Sequence, residues 1–573
     1  MRELEHKYRG WGRVWVLDVV AMALLVGGPF IVRAQGPDPG AFVSTVRQAQ
    51  ERSQASDWRS AVPLWEKVVA INPYMAWNWY PLATAQYNAG EYRKAAASYE
   101  KAFDLGAGRL FVIALDVARS YAMLKEKEPA LKWIARSVEL GLRSRDRFIN
   151  DEAFAFLRSE PRYKTLAAAV DTSKMSRAEG WRHDLAFLEA ETKRMHVSPF
   201  HKVSQAQFEG EVRKLHAEIP QLSDEQIITR LMRLMEPIGD GHTGIFPAFV
   251  TTWKSAPLQF ELFDEGLYVI GGDPKYRNIV GGRVVKIGEH TPEDVIKAVA
   301  PIISKDSEQG IKRSVVDFIR YPALLKGLGL LPQTDHLTLT VRDDAGKTRD
   351  IAIPAVELPN GHSRIDGHPT WVTVHQSAGT PLPLHLRDRR TNYWFERLPN
   401  SKTVYFDFNL VVNAQAESLN AFLERFFKYV DVNDIDRVIV DMRWNNGGNT
   451  MLMRPLVNGL ISREKINRRG QLFIIVGRYT FSAAVNIAAA LEANTNAILV
   501  GEPTPTGPNN IAESNVITLP YSQVRASISD IYWQNSWPSD TRTWIAPQLF
   551  VPHTFEAYKA NRDPVMETIL AYP

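Results

Sequence analysis

The chain has 573 residues, 45% hydrophobic and 23% charged, and its 68 basic against 64 acidic side chains leave a net charge of +4. This composition excludes global disorder and low-complexity architecture, predicts three to five domains at roughly 100–200 residues each, and gives no reason to invoke a nucleic-acid partner. Cysteine is absent, which removes disulfides, thiolate metal sites and a cysteine nucleophile together, so any covalent nucleophile is Ser, Thr, Lys or a carboxylate.

The first residues read as an export signal. Arg2, Lys7, Arg9 and Arg13 form a basic flank, residues 19–32 are a 14-residue run without charge, and Val32-Arg33-Ala34 supplies a small-x-small step before Gln35. As a helix the run spans about 21 Å, short of a hydrocarbon core of about 30 Å. A signal peptide is therefore expected over residues 1–34, with the mature protein exported to a periplasm or the exterior and lacking a membrane span. An uncleaved anchor is the alternative.

Residues 40–172 are helical and self-similar. Trp58-Arg59-Ser60-Ala61 with Trp65, Val68 and Asn72 recurs as Tyr92-Arg93-Lys94-Ala95 with Tyr99, Ala102 and Gly106, and Ala61 and Ala95 lie 34 residues apart. Ala130, Ile134 and Ser137 make a third copy slipped by one position, while Trp79, Leu82 and Ala83 fit the first helix of the second copy. Small Ala lets helices approach, and Trp or Tyr fills the space between hairpins that cannot cover their own apolar faces. The pattern resembles the tetratricopeptide family, which implies an α-solenoid whose concave surface takes a polypeptide substrate or a protein partner. A purely structural helical cap is the other reading of the same periodicity.

Helical spacing continues over residues 175–255, with Ser223-Asp224-Glu225-Gln226 as an N-cap and acidic first turn. After Pro237 the period falls towards two: residues 258–270, 336–341 and 350–354 alternate as strands. Gly281-Gly282 followed by residues 283–288 and Thr291-Pro292-Glu293-Asp294 reads strand, tight turn, helix, so residues 256–355 resemble a PDZ-like module. Residues 356–573 alternate strand and helix, an α/β core. Val438-Ile439-Val440-Asp441 opens into Met442-Arg443-Trp444-Asn445-Asn446-Gly447-Gly448, and Leu472–Val476 leads to Thr480-Phe481-Ser482-Ala483-Ala484 before a helix over residues 485–491. A serine at a strand-to-helix turn, followed by two Ala, suits a nucleophile. The Gly447-Gly448 turn can aim backbone N–H groups inward, as an oxyanion site needs.

Gly239-Asp240-Gly241-His242-Thr243, Asp441-x-Arg443-x-Asn445-x-Gly447-Gly448, Thr480-Phe481-Ser482-Ala483-Ala484 and Gly501-Glu502-x-Thr504 stand in this order. Together they resemble the S41 serine peptidase family of C-terminal processing proteases and the tricorn protease core, over residues 180–573. The resemblance implies a crotonase- or ClpP-like core of stacked β-β-α units with an inserted PDZ-like domain, and a peptide or protein substrate. Processing-type members pair the serine with a lysine about 25 residues on, but no Lys lies between Ser482 and Lys559. Tricorn-like members use an upstream histidine instead, so the resemblance assigns Ser482 as nucleophile, His242 as general base and acid, and the backbone of Gly447, Gly448 and Ala483 to the oxyanion site. Asp540, before Trp544-Ile545-Ala546-Pro547-Gln548, is the candidate orienter of His242, and Glu502 the alternative. Four positions depart from the family pattern: Gly241 stands where a Ser precedes the His, Val485 where an acidic residue follows the small pair, Trp544 for Gly and Gln548 for Asp. A catalytically inactive binding or scaffold protein is therefore the competing reading. The histidines elsewhere show no metal-ligand spacing, no phosphate loop is present, and neither metal nor organic cofactor is expected.

Overall fold

The computed structural model describes residues 39–142, 146–167, 172–358 and 370–573; the expected signal over residues 1–34 lies outside them. The chain divides into two compact units, Met1–Ala168 and Ala169–Pro573. Among the described residues no helix is long and apolar enough to cross a membrane.

In the first unit six helices follow one another as antiparallel hairpins: α1 (Pro39–Gln54), α2 (Trp58–Ile71), α3 (Ala76–Asn88), α4 (Tyr92–Asp104), α5 (Leu110–Met123) and α6 (Lys127–Glu139). Ala61, Ala95 and Ala130 occupy equivalent places in α2, α4 and α6, and each is 0% exposed. Trp65, Tyr99 and Ile134, about one turn further on, fill the gaps between neighbouring helices. Gly90 ends α3 at φ +85, a left-handed turn that a side chain would disfavour. Two short helices, α7 (Asp146–Ile149) and α8 (Pro161–Ala167), finish the unit, with Phe148, Phe154 and Tyr163 in the α5–α6 core.

The second unit begins with α9 (Arg177–Met195), α10 (Gln205–Glu218) and α11 (Asp224–Met235). Each starts on a capping box, Ser176 with Glu179, Ser204 with Gln207 and Ser223 with Gln226, which satisfies donors that a helix start leaves open. An antiparallel sheet follows in the order β1 (Leu258–Phe263), β2 (Gly266–Gly272), β3 (Arg283–Ile287), β4 (His336–Arg342), β5 (Thr348–Pro354). Between β3 and β4 lie α12 (Pro292–Val299), α13 (Gln309–Phe318) and α14 (Pro322–Gly327). β6 (Val372–Thr373) also pairs with β2, so this sheet draws on chain beyond residue 355.

The last third forms a second sheet. α15 (Leu384–Arg387) precedes β7 (Tyr393–Arg397) and β8 (Thr403–Phe408), followed by α16 (Leu419–Val432), β9 (Arg437–Asp441), α17 (Arg454–Ile461), β10 (Leu472–Val476), α18 (Ala483–Asn494) and β11 (Ile498–Gly501). A ribbon of β12 (Asn509–Thr518) and β13 (Arg525–Gln534) intervenes before β14 (Leu549–Phe550), α19 (Phe555–Lys559) and α20 (Pro564–Leu570). The sheet order is β14-β11-β10-β9-β8-β7, parallel except for β7. All five residues of β10 are buried, as a strand covered on both faces requires. One face packs on α16, α17 and α18, the other on α20. The ribbon joins the unit together: Ile517, Leu519, Val524, Ala526 and Ile528 enter the core shared by α9–α11 and the first sheet.

Candidate active site

Ser482 stands between β10 and α18, at the N-cap of α18, with φ 55 and ψ −127. A non-glycine residue at positive φ is held there by its surroundings, and such strain gathers at functional turns. The surroundings are explicit. Thr480 donates its hydroxyl to the Met442 carbonyl at 2.8 Å and accepts from Gly477 N at 3.0 Å, and Phe481 N donates to the Asn445 carbonyl at 3.0 Å. The strand-to-helix turn is thereby tied to the loop that leaves β9.

That loop is anchored by a buried ionic network. Asp441 accepts from Arg443 N and Nε at 3.0 and 3.1 Å, Arg443 reaches Asp563 through both terminal nitrogens at 3.0 Å, and Asp563 bonds His385 Nδ1 at 2.9 Å. Burial alone would raise the Asp563 carboxyl, but the Arg443 charge and His385 hold it far below the carboxylate range. Burial and the charge of Asp441 push Asp407 up. The Asp441-x-Arg443 pair is thus a structural anchor for the segment that follows. Asn445 then folds its own loop: its Nδ2 donates to the Phe408 carbonyl at 2.8 Å and its Oδ1 accepts from Gly447 N at 2.9 Å.

Gly447 sits against the serine and Gly448 against Val411. A Cβ on Gly447, at φ +101, would meet Ser482 Cβ at 2.6 Å and Ala483 N at 2.9 Å; one on Gly448, at φ +133, would meet the Val411 carbonyl at 2.3 Å. Of the three oxyanion candidates, Gly447 has its N–H committed to Asn445, whereas no acceptor among the described residues takes the N–H of Gly448 or Ala483.

His242 comes to this place from the turn after α11. Its ring stacks on Phe481, the residue before Ser482, with centroids 4.3 Å apart and planes 15° from parallel. The Arg313 guanidinium lies 4.2 Å from the same Phe481 ring and bonds Asn446 Oδ1. Both His242 ring nitrogens are shielded from solvent and carry no hydrogen bond. Burial lowers the imidazole to about 4, with Arg313 acting in the same direction and Asp240 opposing, so the ring is neutral at pH 7.

Neither expected orienter is bonded to this ring. Asp540 is engaged by Arg542 and by the Ser536 hydroxyl, and those bonds hold its carboxyl well below the usual range. Glu502 pairs with Arg478, which also reaches Glu261. Three of the four departures from the pattern of the resembled family have a local setting, and nothing in the structure explains Trp544. Gly241 has no room for a side chain, because a Cβ would come within 2.7 Å of Asp306 Oδ2 and 3.2 Å of Phe481. Gln548 accepts from Leu499 N at 2.5 Å, and Val485 is fully buried in the core beneath α18. Phe481 and Asn446 stood inside the motifs without a role of their own, and Arg313 and Asp306 went unread in the sequence. Phe481 adjoins a motif serine, but Arg313 and Asp306 lie on distant segments with no motif of their own. Among the described residues no cluster of His, Asp or Glu has the makings of a metal site.

No protein-family model and no curated protein sequence matches the chain. The structural neighbours include proteases and helical-repeat proteins, all at low identity. The structure is similar to mature CPAF complexed with lactacystin, at 11% identity and a TM-score of 0.49, covering 68% of this chain and 98% of that one. It is similar to the photosystem II D1 C-terminal processing protease at 12% identity and a TM-score of 0.32, covering 65% of this chain and 93% of the other. The Yersinia enterocolitica type III secretion chaperone SycD, in complex with a peptide of the translocator YopD, matches at 15% identity and a TM-score of 0.18, covering 24% of this chain and 98% of its own.

Proposed function

We propose that this chain is an exported serine peptidase that cleaves peptide bonds through an acyl-enzyme on Ser482. The observation that carries the reading is the strained Ser482 at the head of α18, with Gly447 packed against it and a neutral His242 stacked on the adjoining Phe481. In this reaction Ser482 Oγ attacks the carbonyl carbon and His242 takes its proton. The oxyanion is received by the N–H groups of Gly448 and Ala483, and His242 returns the proton to the leaving amine. Water then repeats the sequence on the ester. Asp540 or Glu502 would orient His242 only after leaving its arginine partner, so a rearrangement on substrate binding belongs to this reading. The helical repeats recruit the substrate or a protein partner, and residues 256–355 act as a PDZ-like module.

The unbonded ring of His242 also favours a second reading, a binding protein that has kept the fold without the chemistry. Incubation of the purified chain with a mixed peptide library separates the two. New peptide termini that vanish with Ser482→Ala and with His242→Ala support the peptidase, and an unchanged library supports the binding protein.

A further inference from the structure

Three consecutive backbone N–H groups pass through the turn that carries His242, and each ends on a carboxylate. Gly241 N donates to Asp306 Oδ2 at 2.9 Å, while His242 N and Thr243 N donate to Asp240 Oδ1 at 3.0 and 2.7 Å. Bonds of an N–H to an ionised carboxylate are shorter and about twice as strong as neutral ones. The two acids are themselves held from separate parts of the chain. Asp240 bonds His196 Nε2 at 2.8 Å and accepts from the Ser529 hydroxyl of β13 at 3.0 Å. His196 Nδ1 accepts from Ser198 N at 3.0 Å, which leaves the ring proton on Nε2, facing Asp240. Asp306 Oδ2 also accepts from the Thr506 hydroxyl at 2.7 Å, on the loop after β11. Asp306 fills the space that a side chain at position 241 would need. Gly241 stands where the resembled family carries a Ser before the His, and here a carboxylate from a distant segment occupies that space.

We propose that Asp306 is a positioning residue for His242: with Asp240 it clamps the backbone of residues 241–243, so that the imidazole is presented to Ser482 from a fixed turn. This rests on the Ser482–His242 reading and names what regulates that site. Asp306 is raised to about 7 by its removal from water and by the negative charge of Asp240. The groups facing it set that balance. The 240 turn brings Asp240 and His242. The segment before α10 brings His196, His201 and Lys202, whose ammonium donates to the carbonyls of Gly239 and Asp306. The neighbouring Lys305 is occupied by Glu236. Above pH 7 the carboxylate holds Gly241 N with a full charge and favours the imidazolium that forms during attack. Below it, the added proton competes for the same oxygens and the clamp slackens.

The test is the rate at which a fluorophosphonate probe labels the full-length protein between pH 5 and pH 9. Wild type is expected to accelerate about tenfold through pH 7, since small misplacements of a reacting group carry effects of this size or larger. Asp306→Asn keeps an acceptor oxygen but cannot ionise; its rate should be flat over this range, with the half-saturating probe concentration unchanged. Thr506→Val removes a bond that favours the carboxylate and should move the wild-type inflection to higher pH. Stability supplies a readout with the opposite sign. A carboxyl raised on folding contributes stability at low pH that is lost as pH rises through 7, so Asp306→Asn should melt higher than wild type at pH 8 and not at pH 5. A purely structural Asp306 would instead give a variant that melts lower at both. Equal pH profiles in wild type and Asp306→Asn overturn the proposal while leaving the nucleophile intact. Absence of wild-type labelling at every pH overturns the Ser482 reading itself, and this proposal with it.

Discussion

At the scale of single residues, the site trades backbone comfort for geometry. Ser482 at φ 55 occupies a region that costs a residue with a Cβ about 1–3 kcal/mol. Ser482→Gly should therefore stabilise the fold by about 1 kcal/mol after the entropy of glycine is subtracted, while labelling is lost. Ser482→Ala, which keeps the Cβ and the strain, should lose labelling without that gain; thermal unfolding of the two variants side by side measures the difference. The two turns were legible in the sequence because each is local: Ser482, Ala483 and Ala484 form one, and Gly447-Gly448 another. The hydrogen-bond partners were not. That Gly447 spends its N–H on Asn445, or that Asp540 is held by Arg542, depends on side-chain rotamers that residue spacing does not encode.

At the scale of elements, the strands and helices of the core followed from their periods. Leu472–Val476 is an apolar run and becomes the buried parallel strand β10, and the alternation over residues 258–270 becomes the hairpin of β1 and β2. The placement of the β12–β13 ribbon was hidden, because its inward residues Ile517 and Ile528 join a core that also holds Leu231 and Met232, more than 250 positions upstream. The ribbon brings Ser529 to Asp240 and Thr243, and so holds the turn whose His242 stacks on Phe481. The loop after β9 depends equally on Arg443. Arg443→Met would leave Asp441 and Asp563 buried without their cation, at a cost of about 3–5 kcal/mol. Labelling of whatever protein remains folded should fall, because Asn445 and Gly447 follow directly on that anchor. Denaturant unfolding with labelling of the same samples checks both effects.

At the scale of the whole molecule, the two units have separate cores. The hydrophobic clusters of the repeats contain only residues up to 167, and those of the second unit begin at Ala178. The 34-residue period showed the first unit because each hairpin repeats one packing solution, with Ala61, Ala95 and Ala130 as its fixed points. Trp65→Ala should destabilise the repeats by about 3–5 kcal/mol and leave fluorophosphonate labelling of Ser482 unchanged, as calorimetry and labelling on the same variant would record. The most direct measurement is mass spectrometry of the purified protein after fluorophosphonate treatment at pH 8. One adduct is expected, located on Ser482, absent in Ser482→Ala and strongly slowed in His242→Ala. A folded wild-type protein that takes no adduct, or takes it on another residue, would contradict it.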